Sequence, residues 1–138
     1  MGSEEYKQKL RDFWQKGWND GDMASVDELY APNYVRHTVD PERRGREYLK
    51  ESILSLHRGF PDLVSRIDAF VSEGDTVVTR WTSTGTHGGE FLGFPPTGTP
   101  ITTSGVVISR FEGGKIVEDW ATWNALDVLR DLGVIKLT

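Results

Sequence analysis

Residues 74–98, GDTVVTRWTSTGTHGGEFLGFPPTG, decide how the second half of the chain folds. A turn at Glu73-Gly74-Asp75 is followed at residues 76–87 by a run of apolar and β-branched side chains, long enough for one extended strand. From residue 88 to residue 100 Gly and Pro interrupt this pattern, which predicts a loop. We therefore expect a long strand that leads into a Gly- and Pro-rich connection.

Three more strands are predicted around this stretch. Residues 64–72 favour a strand before it, and residues 102–112 favour one after it. The Gly113-Gly114 pair is typical of a two-residue hairpin turn and leads into a fourth strand at residues 115–124. Residues 125–132 predict a short helical turn. The strands should follow one another as an antiparallel meander.

The N-terminal part of the chain, up to about residue 60, has a helical period instead. One apolar stripe at helical spacing is formed by Tyr6, Leu10, Phe13, Trp14 and Trp18. Asn19-Asp20-Gly21 ends this helix, and Asp22 can cap a short second helix that carries Tyr30. A third helix is expected from about residue 45 to residue 58. Three helices before a sheet predict an α+β domain with the helices packed on one face of the sheet.

The composition excludes several classes of protein. The chain has 138 residues, which we interpret as one domain over residues 1–138. It has no Cys, so a disulfide framework and a thiol nucleophile are excluded. Its net charge of −5 argues against a nucleic-acid partner. With no long apolar run and no apolar signal region at the N-terminus, we expect a cytoplasmic protein without a membrane partner.

Several motifs in order resemble the SnoaL-like polyketide cyclase, or ester cyclase, family. They are FPD at residues 60–62, GTHGG at residues 85–89, PPTG at residues 95–98, GKIVEDW at residues 114–120 and LRDLG at residues 129–133. The resemblance covers nearly the whole chain. It implies the conical α+β barrel of nuclear transport factor 2 and ketosteroid isomerase, in which a strongly curved antiparallel sheet wraps around three N-terminal helices and encloses an apolar pocket. It also implies a homodimer formed through the outer face of the sheet.

The same resemblance implies that this chain departs from the cyclases at their reacting positions. In those enzymes an Asp on the last strand removes a proton from an acidic carbon, and counting from Gly114 places it at Ala121. The polar helpers on the preceding strand, a Gln and a His, fall on Gly105 and Val107. Asn124 stands where many relatives have another Asp.

Two other residues are candidates for acid–base catalysis. His37 lies at about the place where ketosteroid isomerase-like proteins keep their general base, and an imidazole can exchange a proton at neutral pH. Asp119 is two residues from Ala121 on a predicted strand, so its carboxylate can share that face and replace the missing one. Each also has a structural interpretation, since His37 could hydrogen-bond the backbone and Asp119 could lie at the exposed rim of the sheet.

The expected ligand contacts are mostly aromatic. Alternation along the last strand places Trp123 on the same face as Ala121. Arg80, within an otherwise apolar strand, needs a partner if buried, or could polarise a ligand oxygen. The predicted substrate-binding residues are Trp18, Tyr30, Tyr34, Arg80, Trp123 and Asn124. The three His residues are scattered and no phosphate-binding glycine loop is present, so neither a metal nor a cofactor is expected.

Two functions of different class fit this sequence. One is a cofactor-independent isomerase, dehydratase, hydrolase or cyclase-like lyase that acts on a small hydrophobic molecule, polyketide-like, steroid-like or aromatic. The other is a non-catalytic domain that binds such a molecule. The residues at positions 105, 107 and 121 favour the binding domain, whereas the retained loop motifs and His37 favour the enzyme.

Overall fold

The computed structural model describes residues 2–38 and 42–136. The helices are α1 (Ser3–Phe13), which continues as a π-helical segment (Trp14–Asn19), α2 (Ala24–Leu29), α3 (Arg46–Gly59) and α4 (Ala125–Asp131). The strands are β1 (Tyr30–His37), β2 (Arg43–Arg44), β3 (Val64–Glu73), β4 (Thr76–Thr86), β5 (Pro100–Glu112) and β6 (Lys115–Trp123). They form one sheet in the order β2-β1-β6-β5-β4-β3. Within the described residues, no helix is both long and apolar enough to cross a membrane.

The α+β class and the predicted meander are confirmed. Strands β3 to β6 begin and end within two residues of the predicted strands, and each pairs antiparallel with the next. Gly113 and Gly114 have φ angles of 61° and 80°, as a two-residue hairpin turn requires. The alternation of side chains along this half of the chain therefore determines which residues face the helices.

The sequence prediction was wrong at Tyr30–His37, where the structure has strand β1 instead of a helix end and a loop. This strand pairs in parallel with β6, with Arg36 opposite Asp119 and His37 opposite Trp120. The curved sheet is consequently mixed and not purely antiparallel. The strand pattern was hidden because the register slips between Tyr30 and Val35, so the side chains do not alternate evenly.

The first helix packs its aromatic stripe into the concave face of the sheet. Tyr6 stacks on Phe111 of β5 with ring centroids 4.1 Å apart, and Phe13 meets Tyr30 edge-on at 5.2 Å. The register of β3 slips between Ile67 and Ala69, a bulge that bends the strand around the helix. These contacts form the main core and leave the far end of the cone open to be closed by other residues.

A second, smaller core closes that end. Its residues belong to β5, to α4 and to the segments that directly follow α3, β4 and α4. They are Phe60, Phe91, Ile101, Val128 and Leu132. Phe60 and Phe91 meet edge-on with ring centroids 5.1 Å apart. Between the two cores the concave face of the sheet is not filled by side chains.

The outer face of the sheet carries exposed apolar side chains. Ile108 and Trp120 lie opposite each other on β5 and β6 and are 36% and 40% exposed. The homodimer expected through this face stays a prediction.

Gly105 is the position of β5 that depends most clearly on having no side chain. A Cβ there would lie 2.5 Å from Trp81 Cζ2 and would collide with the carbonyl oxygen of Thr122. We expect Gly105→Ala to lower the free energy of unfolding by about 1–3 kcal/mol, because overpacking forces the backbone to shift. Urea unfolding followed by tryptophan fluorescence measures this change. The control is Ser104→Ala at the neighbouring exposed position, whose free energy of unfolding should stay within about 0.5 kcal/mol of wild type. A Gly105→Ala variant with the stability of wild type would contradict the prediction.

Candidate functional site

The space between the two cores is a cavity of about 650 Å³. This volume is within the range of ligand sites for small organic molecules. Most of its wall is apolar, and its aromatic lining consists of Trp14, Trp18, Tyr48, Phe60, Trp81, Phe91 and Trp123. Flat ring surfaces on several sides suit a flat, hydrophobic ligand.

The strand positions that the resemblance connects with cyclase chemistry contribute to this wall without polar groups. Val107 and Ala121 lie opposite each other on β5 and β6, and both line the cavity. Gly105 leaves room that Trp81 occupies, since the indole lies where a side chain at position 105 would begin. This part of the wall can therefore contact a ligand but has no group that could take or give a proton.

A buried cluster of three polar side chains joins β1 to β6. Arg36 donates from Nε to Asp119 Oδ1 at 3.0 Å and from Nη2 to Asp119 Oδ2 at 2.9 Å. The Tyr34 hydroxyl lies 2.8 Å from both carboxylate oxygens and accepts a hydrogen bond from Arg36 Nε at 2.7 Å. Asp119 has no exposed surface, whereas Arg36 lines the cavity. The guanidinium of Arg36 thus faces the cavity, and the carboxylate of Asp119 lies behind the guanidinium.

Burial and charge fix the protonation of the groups around Asp119. Burial raises the pKa of Tyr34 above its ordinary value, although the charge of Arg36 opposes this. Burial, together with the charge of Asp119, likewise raises the pKa of Tyr30. Burial alone would lower the pKa of Arg36, but Asp119, Tyr34 and Tyr30 together outweigh burial and raise that pKa. Both phenols therefore keep their protons at neutral pH and the guanidinium keeps its charge.

The structure places His37 on the opposite face of β1 from Arg36. Its Nε2 lies 2.7 Å from Glu118 Oε2, and its ring stacks on Trp120 with centroids 5.2 Å apart. His37 and Arg110 both bind Glu118, and these partners lower the pKa of the Glu118 carboxyl. His37 belongs to a group of paired residues on the outer face and does not line the cavity.

The other predicted site residues lie in three different places: the cavity wall, the main core and the exposed surface. Trp18 and Trp123 line the cavity, whereas Tyr30 is buried in the main core. Arg80 is exposed because the neighbouring Trp81 takes the inward position on β4. Asn124 is exposed and donates from Nδ2 to Asp127 Oδ2 at 2.5 Å, at the start of α4. The structure thus does not bring these residues together in one place.

Sequence reasoning missed several polar residues that line the cavity. Arg36 was missed because β1 was not predicted. The other missed residues, Ser65, Ser83 and Thr103, lie on strands that were predicted. Alternation could have found Ser83, since it is two residues from Trp81 on β4 and therefore faces the cavity as Trp81 does. Among the described residues, no three His, Asp or Glu side chains come together in a way that could hold a metal ion.

The ion pair between Arg36 and Asp119 should dominate the stability of the β1–β6 pairing. We expect Asp119→Leu to lower the free energy of unfolding by about 3 kcal/mol or more, because it leaves a buried guanidinium without its counter-charge. The double change Arg36→Met with Asp119→Leu should recover most of that loss, since an apolar pair of similar volume replaces both charges. Urea unfolding of the three proteins tests this, and a double variant no more stable than the single one would contradict it.

Comparison with known proteins agrees with this architecture. Residues 8–132 match the family described as SnoaL-like polyketide cyclase. Among solved structures, TsrD from Streptomyces laurentii is 27% identical, with a TM-score of 0.87 and coverage of 98% of this chain and 99% of that one. IdmH from Streptomyces antibioticus, a candidate polyketide cyclase, is 32% identical, with a TM-score of 0.79 and coverage of 93% and 98%.

A candidate polyketide cyclase from Acidithiobacillus ferrooxidans is 31% identical, with a TM-score of 0.83 and coverage of 96% of this chain and 98% of that one. A comparison with curated protein sequences finds no significant match. The family match spans most of the chain and agrees with the cone-shaped sheet that the structure has. The chain belongs to the SnoaL-like polyketide cyclase family.

Proposed function

We propose that this protein binds a small, flat hydrophobic molecule, polyketide-like or steroid-like, inside the cavity. The observation that carries the proposal is the aromatic lining of a cavity of about 650 Å³. Indole and phenyl faces on several sides favour a planar ring system over a flexible chain, because offset and edge-on ring contacts add to the burial of apolar surface. The bound molecule needs no cofactor to be held there.

Binding is favoured over catalysis because the wall has few groups that transfer protons. No His or Asp lies among the described lining residues, and Glu51 is the one carboxylate among them. Glu51 pairs with Arg58 at 2.9 Å, and its side chain is 68% exposed. A carboxylate that is mostly in solvent and already paired with a guanidinium is poorly placed to remove a proton from a carbon inside the cavity.

The proposal predicts that filling the cavity abolishes binding. Ala121→Trp places a large ring in the cavity, so the affinity for fluorene, a planar three-ring hydrocarbon, should fall about tenfold or more. Quenching of tryptophan fluorescence during titration with fluorene measures the affinity, with calorimetry as a check on the variant that gains a Trp. Trp120→Ala, on the outer face, is the matched control and should bind as wild type does. Equal affinity in Ala121→Trp would show that fluorene binds elsewhere.

A second candidate function is proton transfer at a carbon next to a carbonyl. It is favoured by one observation, namely that a fully buried carboxylate, Asp119, lies directly behind a guanidinium that lines the cavity. If Arg36 turns toward a ligand oxygen, Asp119 is freed to take the proton. The carbon–hydrogen bond then breaks, the electron pair moves to the carbonyl oxygen as an enolate, and Arg36 stabilises its charge. His37, the other proposed base, would have to act from outside the cavity.

Hydrogen exchange of 2-tetralone in deuterated water tests this second candidate. We expect the wild-type protein to accelerate exchange at the carbon between ring and carbonyl, as followed by proton NMR. Asp119→Asn should reduce the rate to that of buffer, whereas exchange should survive His37→Ala. Circular dichroism and fluorene affinity of both variants control for loss of fold. Wild-type protein that binds fluorene but does not accelerate exchange would exclude the catalytic candidate and leave the binding function.

A further inference from the structure

Three hydroxyl side chains form a row across the concave face of the sheet. Ser65 of β3 lies opposite Ser83 of β4, and Ser83 lies opposite Thr103 of β5. All three residues line the cavity. We call them the hydroxyl row. In a cavity whose wall is otherwise mostly apolar and aromatic, a continuous polar row marks the place where a polar atom of a ligand would be held.

The hydrogen bonds that join Trp14, Ser65 and Ser83 leave one hydrogen without an acceptor. Trp14 Nε1 lies 3.0 Å from Ser65 Oγ and can only donate to it, because an indole nitrogen is not an acceptor. Ser83 Oγ lies 2.7 Å from Ser65 Oγ, so one of these hydroxyls donates to the other. The three groups have three hydrogens and make two bonds. One Ser hydrogen is therefore spare, whichever direction the bond between the two hydroxyls takes.

Burial makes this spare hydrogen significant. Ser65 is only 6% exposed, so its hydroxyl is largely removed from bulk water. Thr103 Oγ1 is also buried and has no hydrogen-bond partner among the described residues. An unsatisfied buried hydroxyl is costly, and native structures rarely keep one without a reason such as a bound molecule. At two neighbouring places in the row, the Ser65–Ser83 pair and Thr103, a hydroxyl hydrogen therefore has no acceptor.

The hydroxyl row and Arg36 lie on different parts of the sheet. The row belongs to β3, β4 and β5, whereas Arg36 belongs to β1, which is separated from β5 by β6. Trp81, two residues before Ser83 on β4, lies between them on the same face and also lines the cavity. A flat molecule that contacts Trp81 can therefore bring one of its edges to the hydroxyl row.

We propose that the hydroxyl row is a subsite that donates hydrogen bonds to an oxygen acceptor, a ring carbonyl or ring oxygen, on the edge of the bound molecule. This inference rests on the proposed binding function and narrows its ligand class from flat hydrophobic molecules in general to those that carry an acceptor oxygen at the ring edge. The spare hydrogen of the Ser65–Ser83 pair, or that of Thr103, forms the bond. The subsite selects the ligand by its oxygen, whereas the aromatic wall selects it by shape.

The test compares 9-fluorenone with fluorene, which has the same three-ring shape and a CH₂ group in place of the carbonyl. The ratio of the two affinities is measured by tryptophan quenching for wild type, for the double variant Ser65→Ala with Ser83→Ala, and for Thr103→Val. The double variant is needed because either single Ser→Ala change leaves one spare hydroxyl hydrogen. It is made in a Trp14→Phe background, with Trp14→Phe alone as its reference, because the indole N–H would otherwise lose its acceptor and could donate in place of the hydroxyls. Comparing ratios cancels the different hydrophobicity of the two ligands.

We expect the preference for fluorenone to fall about three- to tenfold in the Ser double variant or in Thr103→Val, the range of one hydrogen bond. Fluorene affinity should stay within a few-fold of wild type. Ser104→Ala, on the outer face of β5, is the control and should keep the wild-type ratio. An unchanged ratio in both variants would overturn the inference while the binding function stands. Failure of wild type to bind either ligand would overturn both.

A second measurement does not depend on the stability of the variants. The carbonyl stretching frequency of fluorenone bound to the wild-type protein should be lower than in an apolar solvent, because a hydrogen bond weakens the carbon–oxygen double bond. It should return toward the apolar-solvent value in whichever variant loses the fluorenone preference. A bound fluorenone with the apolar-solvent frequency in wild type would overturn the inference.

Discussion

The fold depends on one buried ion pair that joins the first strand to the last. Arg36 and Asp119 face each other across the parallel pairing of β1 with β6, and Tyr34 completes the hydrogen bonding of the carboxylate. A charge buried without such partners would cost several kcal/mol. Because the pair has both of its strong bonds, β1 can lie against β6 although it begins with an irregular register. The pair thereby holds β1 against the edge of the sheet that β6 would otherwise form.

The cavity exists because the sheet bends more than its side chains can fill. The bulge in β3 curves the strands around α1, and the aromatic stripe of that helix fills only the near end of the cone. Beyond that end, three small residues, Gly105, Val107 and Ala121, occupy the middle of the inward faces of β5 and β6. A cone with small residues in its middle and large rings at both ends leaves room between them.

The strands and most helices of this protein could be predicted from the sequence, since the alternation of residues 64–124 and the paired glycines at 113–114 are local signals. β1 could not, because its pairing in parallel with a strand some eighty residues away depends on the ion pair and not on local pattern. The same difference between local and long-range signals explains which site residues could be predicted. Trp18 and Trp123 were predicted to contact a ligand from helical spacing and alternation, and they do line the cavity.

The face of the sheet on which His37 and Arg80 lie could not be predicted from local sequence pattern. The direction of His37 follows from a strand that the sequence did not reveal, and that of Arg80 from which of two adjacent large residues turns inward. The hydroxyl row was hidden for a further reason. Its three members are far apart in sequence and meet only through the register of three strands, which the bulge between Ile67 and Ala69 helps to set.

The small core at the far end of the cone has a thermodynamic consequence. Val128 of α4 belongs both to that core and to the wall of the cavity, so the short C-terminal helix is packed partly against empty space. Any molecule that fills the cavity adds contacts to this helix. The folding of α4 and the occupancy of the cavity are therefore linked equilibria, and each must strengthen the other. The C-terminal helix is in this sense part of the binding site, because its own packing improves when the cavity is filled.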